Sequence, residues 1–537
     1  MLRRSRRARG AVAALASLLV CVLLAGCGAA QPAEDPTELR AVKAYGDDPA
    51  ADGTPRTGGS LVMGTDREAV SFDPVVQNTN QATFAVYDSL MRLGPDGSAE
   101  PYLAESMETV DDGRTWRMGL RPDVRFSDGT PLDAEAVVLN VQRHIDTTSS
   151  PAHRFAQQIT GMRAVDPLTV EFVLDQPLGS FPVLFGQSLF FGALGVIVSP
   201  AALAERGDDI GRNPVGAGPF RLVEWVQDSR MVLERNPDYW QEGLPRLDRL
   251  EFRPLPDNET RYASIQNRDV DLIFAAYNPE LVRAVEDPGM NVYYGPGNGG
   301  EVLHFNVTKA PFDDRRMREA VVRAIDTNGL SASLYNNNLV PATSLFEASS
   351  PFHTEQAAKE WPGTDPDRAR QLVEEYRADG GDPSFLFTLT SPRRPLGEAI
   401  QAQMAAVGIT IDVEFYDLAQ YSSQVVQSGN FDLASNVTSF DNPFPFVGNL
   451  VSSEGNINYG GYTNPEVDAL VDTAARTADD AERTRSYQEI ERLVTEDLPL
   501  AWISRGYLST VADPAVKGVE RYIGRDMFYA TTWLDRP

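Results

Sequence analysis

The side chains with most chemistry to offer in this 537-residue chain are two cysteines, four histidines and 76 carboxylates. The histidines are His144, His153, His304 and His353, and none falls at a metal-ligand spacing. His144 sits on a predicted helix and His304 in a predicted strand, where a satisfied structural role is the expectation. A metal would enter only as part of a chelated ligand. Gly295, Gly297 and Gly300 match G-x-G-x-x-G. A dinucleotide site needs a strand before such glycines and a helix after them. Here Pro296 interrupts and a strand follows, so the stretch is expected to be a flexible joint. No G-x-S-x-G elbow and no H-E-x-x-H helix occurs. The carboxylates are numerous enough to include a glycosidase-type pair, but number alone marks solvated surface. The expectation is no catalytic residue, no metal and no cofactor, with an extracellular enzyme as the minor alternative.

The cysteines point elsewhere. Arg3, Arg4, Arg6, Arg7 and Arg9 precede an apolar run at 11–24 that is short for a membrane span and ends in small residues. Residues 1–26 therefore read as a signal peptide. Leu24-Ala25-Gly26-Cys27 resembles the bacterial lipobox, where cleavage before the cysteine leaves its thiol to carry a diacylglyceryl group. Ser5-Arg6-Arg7 hints at a twin-arginine leader, but Arg9 and Gly10 stand where apolar residues should follow. Cys21 would leave with the leader and Cys27 would become the anchor. The mature domain then has no thiol for a disulfide, a thiolate metal site or a nucleophile. Residues 27–56 are rich in Ala, Pro, Asp, Gly and Thr without apolar periodicity, and read as a disordered tether.

About 510 residues remain beyond the leader, enough for two or three domains. Hydrophobic content of 42% and six Trp permit substantial cores. The formal charge is −28, and loss of the five leader arginines, each +1, takes it to −33. Such a surface repels phosphate backbones, which excludes nucleic acid as a partner and disfavours anionic ligands.

Periodicity supplies the elements. Ser384 to Thr390 reads as a strand. Leu396, Ala399, Ile400, Met404 and Val407 then share a helix face, and Gly408 can stop that helix. Ile409, Ile411, Val413 and Phe415 alternate as a half-buried strand. Strand, helix and strand with short joints make a right-handed parallel crossover. Asp365 caps a preceding helix with Pro366 at its first position and a face of Ala369, Leu372, Val373 and Tyr376. Another helix is expected from about Asp314 to Asp326, with Met317, Ala320, Val321, Ala324 and Ile325 inward. Residues 301–307 read as the strand before it. Earlier, Trp116, Met118 and Leu120 alternate, followed by Val124 and Phe126, as in a hairpin. Asp133 can cap a helix starting at Ala134. The chain is α/β, hairpin-rich early and crossover-rich later.

Four stretches carry a resemblance. They are residues 101–141, with Asp111-Asp112-Gly113 and Ser127-Asp128-Gly129; Gly216 to Phe220 with the following segment to Glu234-Arg235-Asn236-Pro237-Asp238-Tyr239-Trp240; residues 304–326; and Gly461 to Asp468 opening a helix. In that order they resemble the bacterial extracellular solute-binding proteins, family 5, the peptide, dipeptide and nickel type of ABC importers. Most of these motifs are turn and helix-start chemistry. The resemblance implies a two-lobe periplasmic-binding-protein-like fold (type II, cluster C) with an extra inserted α+β domain. Lobe I would comprise 57–98, 215–300 and 506–537, the insertion 99–214, and lobe II 301–505. The glycines at 295–300 would lie near a hinge, and the lobes would close on a ligand.

The same resemblance implies the site. In peptide binders of the family an aspartate meets the ligand amino terminus, and Asp441 occupies that position in Thr438-Ser439-Phe440-Asp441-Asn442-Pro443. Residues 432–437 would pair with the ligand backbone. Thr438 and Asn442 stand where the family often has Trp and Tyr, so two aromatic contacts are missing or displaced. Phe440, Asn78, Asn80 and Tyr459 are the other candidate ligand contacts. The expected function is capture of an oligopeptide or dipeptide and its delivery to an ABC permease by a monomer anchored outside the cytoplasm through Cys27. A metal chelate, sugar or opine-like solute on the same fold is the alternative.

Overall fold

The computed structural model describes residues 53–76, 81–94, 97–187, 192–274, 280–335, 337, 339–440, 442–522 and 526–536. The expected leader, Cys27 and nearly all of the tether lie outside them. No helix among the described residues is long and apolar enough to cross a membrane.

Three sheets carry the architecture. The first has seven strands, in the order Asn291–Pro296, Tyr507–Ala512, Leu272–Phe274, Ser60–Thr65, Arg249–Pro254, Arg230–Arg235 and Phe220–Val226. Ser60–Thr65 runs parallel to both of its neighbours, and the remaining pairs are antiparallel. The second has five strands, in the order Thr410–Tyr416, Ser384–Thr390, Leu433–Phe440, Asn298–Phe305 and Leu500–Ser504. The third is an antiparallel sheet of Ala104–Thr109, Thr115–Leu120, Thr169–Leu174 and Ile159–Asp166. It shares one continuous apolar core with the first sheet: Leu61 and Met63 belong to the same cluster as Trp116 and Phe172. The second sheet has its own cores, with Leu303 and Phe387 in one and Val302 and Trp502 in another.

The crossover read at 383–415 is present as expected. Ser384–Thr390 pairs in parallel with Thr410–Tyr416, and the helix Arg394–Ala406 between them buries Leu396, Ile400 and Met404. Gly408 takes φ +84°, a left-handed conformation open to glycine without the Cβ penalty. The caps follow the sequence too. Asp365 accepts from Arg368 N at 3.0 Å, Asp314 from Arg316 N at 2.8 Å, and Asp133 from Ala136 N at 3.0 Å. Each satisfies a first-turn N–H that has no partner inside the helix.

Two expectations need correction. The early hairpin joins Thr115–Leu120 to the strand before it, Ala104–Thr109, around the turn at Asp111-Asp112-Gly113. Val124 and Phe126 are buried in the loop that follows. Alternation identified a strand but carried no information about its partner. The glycines at 295–300 are also not a slack joint. Gly295 pairs with Leu508 in the first sheet, whereas Gly299 and Gly300 pair with Ser439 and Thr438 in the second. A Cβ on Gly300 would lie 1.8 Å from Ser504 O, so this glycine answers to close backbone approach.

The chain thus passes between the two large sheets at Gly297 and returns through Arg505 and Gly506. Gly297 N donates to Gly506 O at 3.1 Å, tying the crossings together. Arg505 is buried beside them. Its guanidinium donates to Gly299 O at 3.2 Å, Ser344 O at 2.8 Å, Ser344 Oγ at 3.0 Å and Phe346 O. Burial lowers its pKa to about 10.

Candidate functional site

The strand Leu433–Phe440 has an open edge. On one side it pairs along its whole length with Asn298–Phe305. On the other it meets Ser384–Thr390 at Phe387–Leu433 and Thr388–Ala434, and then the two strands part. Alternate residues of an antiparallel strand direct both backbone polar groups to the same side. Ser435, Val437 and Ser439 therefore share the open edge. Ser435 O accepts from Tyr421 Oη at 2.6 Å, and Val437 N donates to Asn436 Oδ1 at 2.8 Å. Val437 is 43% exposed. From Val437 onward the edge carries backbone groups that a ladder partner can pair with, Val437 N exchanging its local bond to Asn436 Oδ1 for a ladder bond.

A charged cluster adjoins it. Arg393, at the start of the helix Arg394–Ala406, pairs with Glu301, its Nε lying 3.0 Å from Oε1 and donating to Oε2 at 3.3 Å, and its Nη1 donates to Thr390 Oγ1 at 3.0 Å. Ser435 Oγ donates to Glu301 Oε1 at 2.5 Å. Burial raises the Glu301 carboxyl above its ordinary pKa, against the opposing pull of Arg393 and Ser435. Tyr335 and Tyr421 stand within electrostatic reach of both members of the pair, and burial pushes Tyr335 up to about 12. The cluster offers one cation, mostly balanced, and aromatic surface.

The residues expected at the site fall into three groups. Asn78, Asn80 and Asp441 lie outside the described residues. Phe440 is buried and not exposed at the open edge. Strand alternation turns its ring into the second core, stacked on Phe446 at 4.6 Å and near Phe346 at 5.9 Å. Tyr459 is half-buried against His304, with ring centroids 5.4 Å apart, beside the group of Tyr421, Val425 and Ala434. His304 is held neutral by burial, its pKa lowered to about 4, and its Nε2 has no hydrogen-bond partner among the described residues. Sequence reasoning missed Arg393 and Glu301. The only signal was a paired arginine at a helix start, a common surface pattern.

Asn442 has a role that sequence did not suggest. Its Nδ2 donates to Gly97 O, which joins the body of the second sheet to that of the first, while its Oδ1 accepts from Phe444 N at 2.8 Å. A cavity of about 370 Å³ opens beside this bridge. Met91, Met107 and Trp116 wall it from one body, and Phe352 and Arg483 from the other. Its volume is that of a small-ligand pocket.

The family profile of the bacterial extracellular solute-binding proteins, family 5 Middle, matches residues 98–458, more than half of the chain. The glutathione-binding protein GsiB of Escherichia coli K12 is 30% identical over 432 residues, covering 78% of this chain and 82% of its own. Among solved structures, DppA from Helicobacter pylori in complex with the peptide STSA matches with a TM-score of 0.75 at 23% identity, over 90% of this chain and 99% of that one. NikA from Brucella suis in complex with Fe(III)-EDTA matches with a TM-score of 0.76 at 22% identity, over 88% and 98%. The chain has the two-lobe periplasmic-binding-protein-like fold that these matches share. The chain belongs to the family 5 extracellular solute-binding proteins of ABC transporters.

Proposed function

We propose that this chain captures peptides, oligopeptide or dipeptide, between its lobes and delivers them to an ABC permease. The observation that carries the reading is the open edge at Val437 and Ser439. An extended peptide brings its own alternating N–H and C=O groups, and strand addition satisfies both sides at once. A sugar or a metal chelate has no such ladder to offer. The likeness to GsiB agrees, since glutathione is itself a tripeptide.

In this reading Asp441 holds the ligand ammonium by a charge-assisted bond. Arg393, partly exposed beside the same edge, faces the ligand's carboxylate end. Lobe I comprises 57–98, 215–300 and 506–537, the insertion 99–214, and lobe II 301–505. The crossing at Arg505–Gly506 supports the second limit, and the one at Gly297 lies three residues before the first. The protein works as a monomer, and lipid on Cys27 anchors it to the outer face of the cell membrane.

Native mass spectrometry of the protein purified from its own host tests the ligand class. The expected result is a co-purifying mass that fragments as a peptide. A trapped metal chelate, sugar or opine-like compound contradicts it.

A further inference from the structure

A lone glycine, Gly179, joins the two bodies at a point away from the open strand edge. The helix Pro465–Arg476 belongs to the second-sheet body, where Val467 and Ala474 are part of the core. Its last carbonyls have no partner inside the helix. Three of them are met from across the cleft. Gly179 N donates to Arg476 O at 2.9 Å, Ser180 N to Ala475 O at 3.1 Å, and Ser180 Oγ to Ala474 O at 3.5 Å. Leu178 and Phe181, on either side of the donors, are buried in the first-sheet core, so the donors are firmly mounted. A Cβ at Gly179 would lie 1.9 Å from Thr477 O, and the three heavy atoms nearest to it all belong to the facing body.

Two sequence motifs that ligand capture leaves unexplained position this contact. Gly113, in the Asp111-Asp112-Gly113 turn, accepts from Leu178 N at 3.0 Å and so seats the donor loop. Asn464, opening the Asn464-Pro465 helix start, accepts from Glu466 N at 2.9 Å and fixes the helix whose far end receives the donors. We propose that the segment Leu178–Ser180 is a clasp that stabilises the closed arrangement of the lobes without ligand, and that Gly179 is the positioning residue that permits it. Loss of the two backbone hydrogen bonds alone corresponds to roughly a ten- to hundredfold shift of the closure equilibrium.

The inference rests on lobe closure and not on the identity of the guest, so its test uses ligand-free protein. Wild type and Gly179→Val, each freed of ligand by dialysis, are compared by small-angle scattering and amide exchange. The expected result is a larger radius of gyration for the variant and exchange at the Ser180 amide faster by about tenfold or more. Amides of the strand Thr115–Leu120 should keep their protection, which controls for folding. If valine disturbs that strand, Gly179→Ala meets the same oxygen with a single methyl and is read in the same way. Identical scattering and identical Ser180 exchange in wild type and folded variant overturn the clasp. A peptide screen that finds no ligand bears on the proposed function alone.

Discussion

Asn442 bonds to Gly97 across the cleft and, within its own loop, to Phe444. The bond to Gly97 ties the body of the second sheet to that of the first. The two ends of its amide do this together, Nδ2 donating to Gly97 O and Oδ1 accepting from Phe444 N. Asn442→Ala should leave global stability within about 1 kcal/mol of wild type while amide exchange at Phe444 rises by about tenfold. Unchanged exchange at Phe444 contradicts this assignment.

Buried histidines make the fold acid-sensitive. Burial lowers His144 to about 3 and His304 to about 4. Between pH 6.5 and 4 the unfolded chain binds protons at both sites that the native state refuses. Their contribution is complete above pH 6.5 and falls with acidification, by up to about 1.4 kcal/mol per pH unit per histidine. Thermal melts from pH 7 to 5 should show Tm falling, with a smaller fall in His144→Gln. Equal slopes would remove His144 from the account.

Asp88 acts in the opposite sense. It is buried and accepts from Tyr239 Oη at 2.8 Å and Trp240 Nε1 at 2.7 Å, and burial raises its carboxyl to about 7. The native state keeps this proton after the unfolded chain has released it, so its contribution is lost as pH rises from about 4 towards 7. Asp88→Asn should match wild type near pH 4 and exceed it in Tm at pH 8. A variant less stable than wild type at pH 8 contradicts the direction.

Arg505 holds the crossing between the two large sheets through carbonyls of two separate segments. Arg505→Met leaves those acceptors buried and unmet, at a cost of about 3 kcal/mol. Differential scanning calorimetry should register a Tm drop of several degrees. A loss within error would mean that Gly299 and Ser344 are held by other contacts.

Much of the fold was legible because its signals are local. Asp365, Asp314 and Asp133 cap the expected helices. Period alone located the crossover from Ser384 to Tyr416. Partnership was not legible. The strand of Trp116 turned out to pair backwards, and Phe440 faces the core because register, not residue type, sets its side. The open edge at Val437 depends on two strands splaying apart after Ala434, which no residue announces. Gly179 is a single glycine whose neighbour across the cleft lies some three hundred residues away.

The central claim is a peptide backbone paired with lobe II. Amide exchange at Val437 and Ser439 tests it most directly, measured with and without a peptide selected from a library by thermal stabilisation. The account predicts strong new protection at both amides in the complex. Tight, stabilising binding that leaves Val437 and Ser439 exchanging as in the free protein would contradict it.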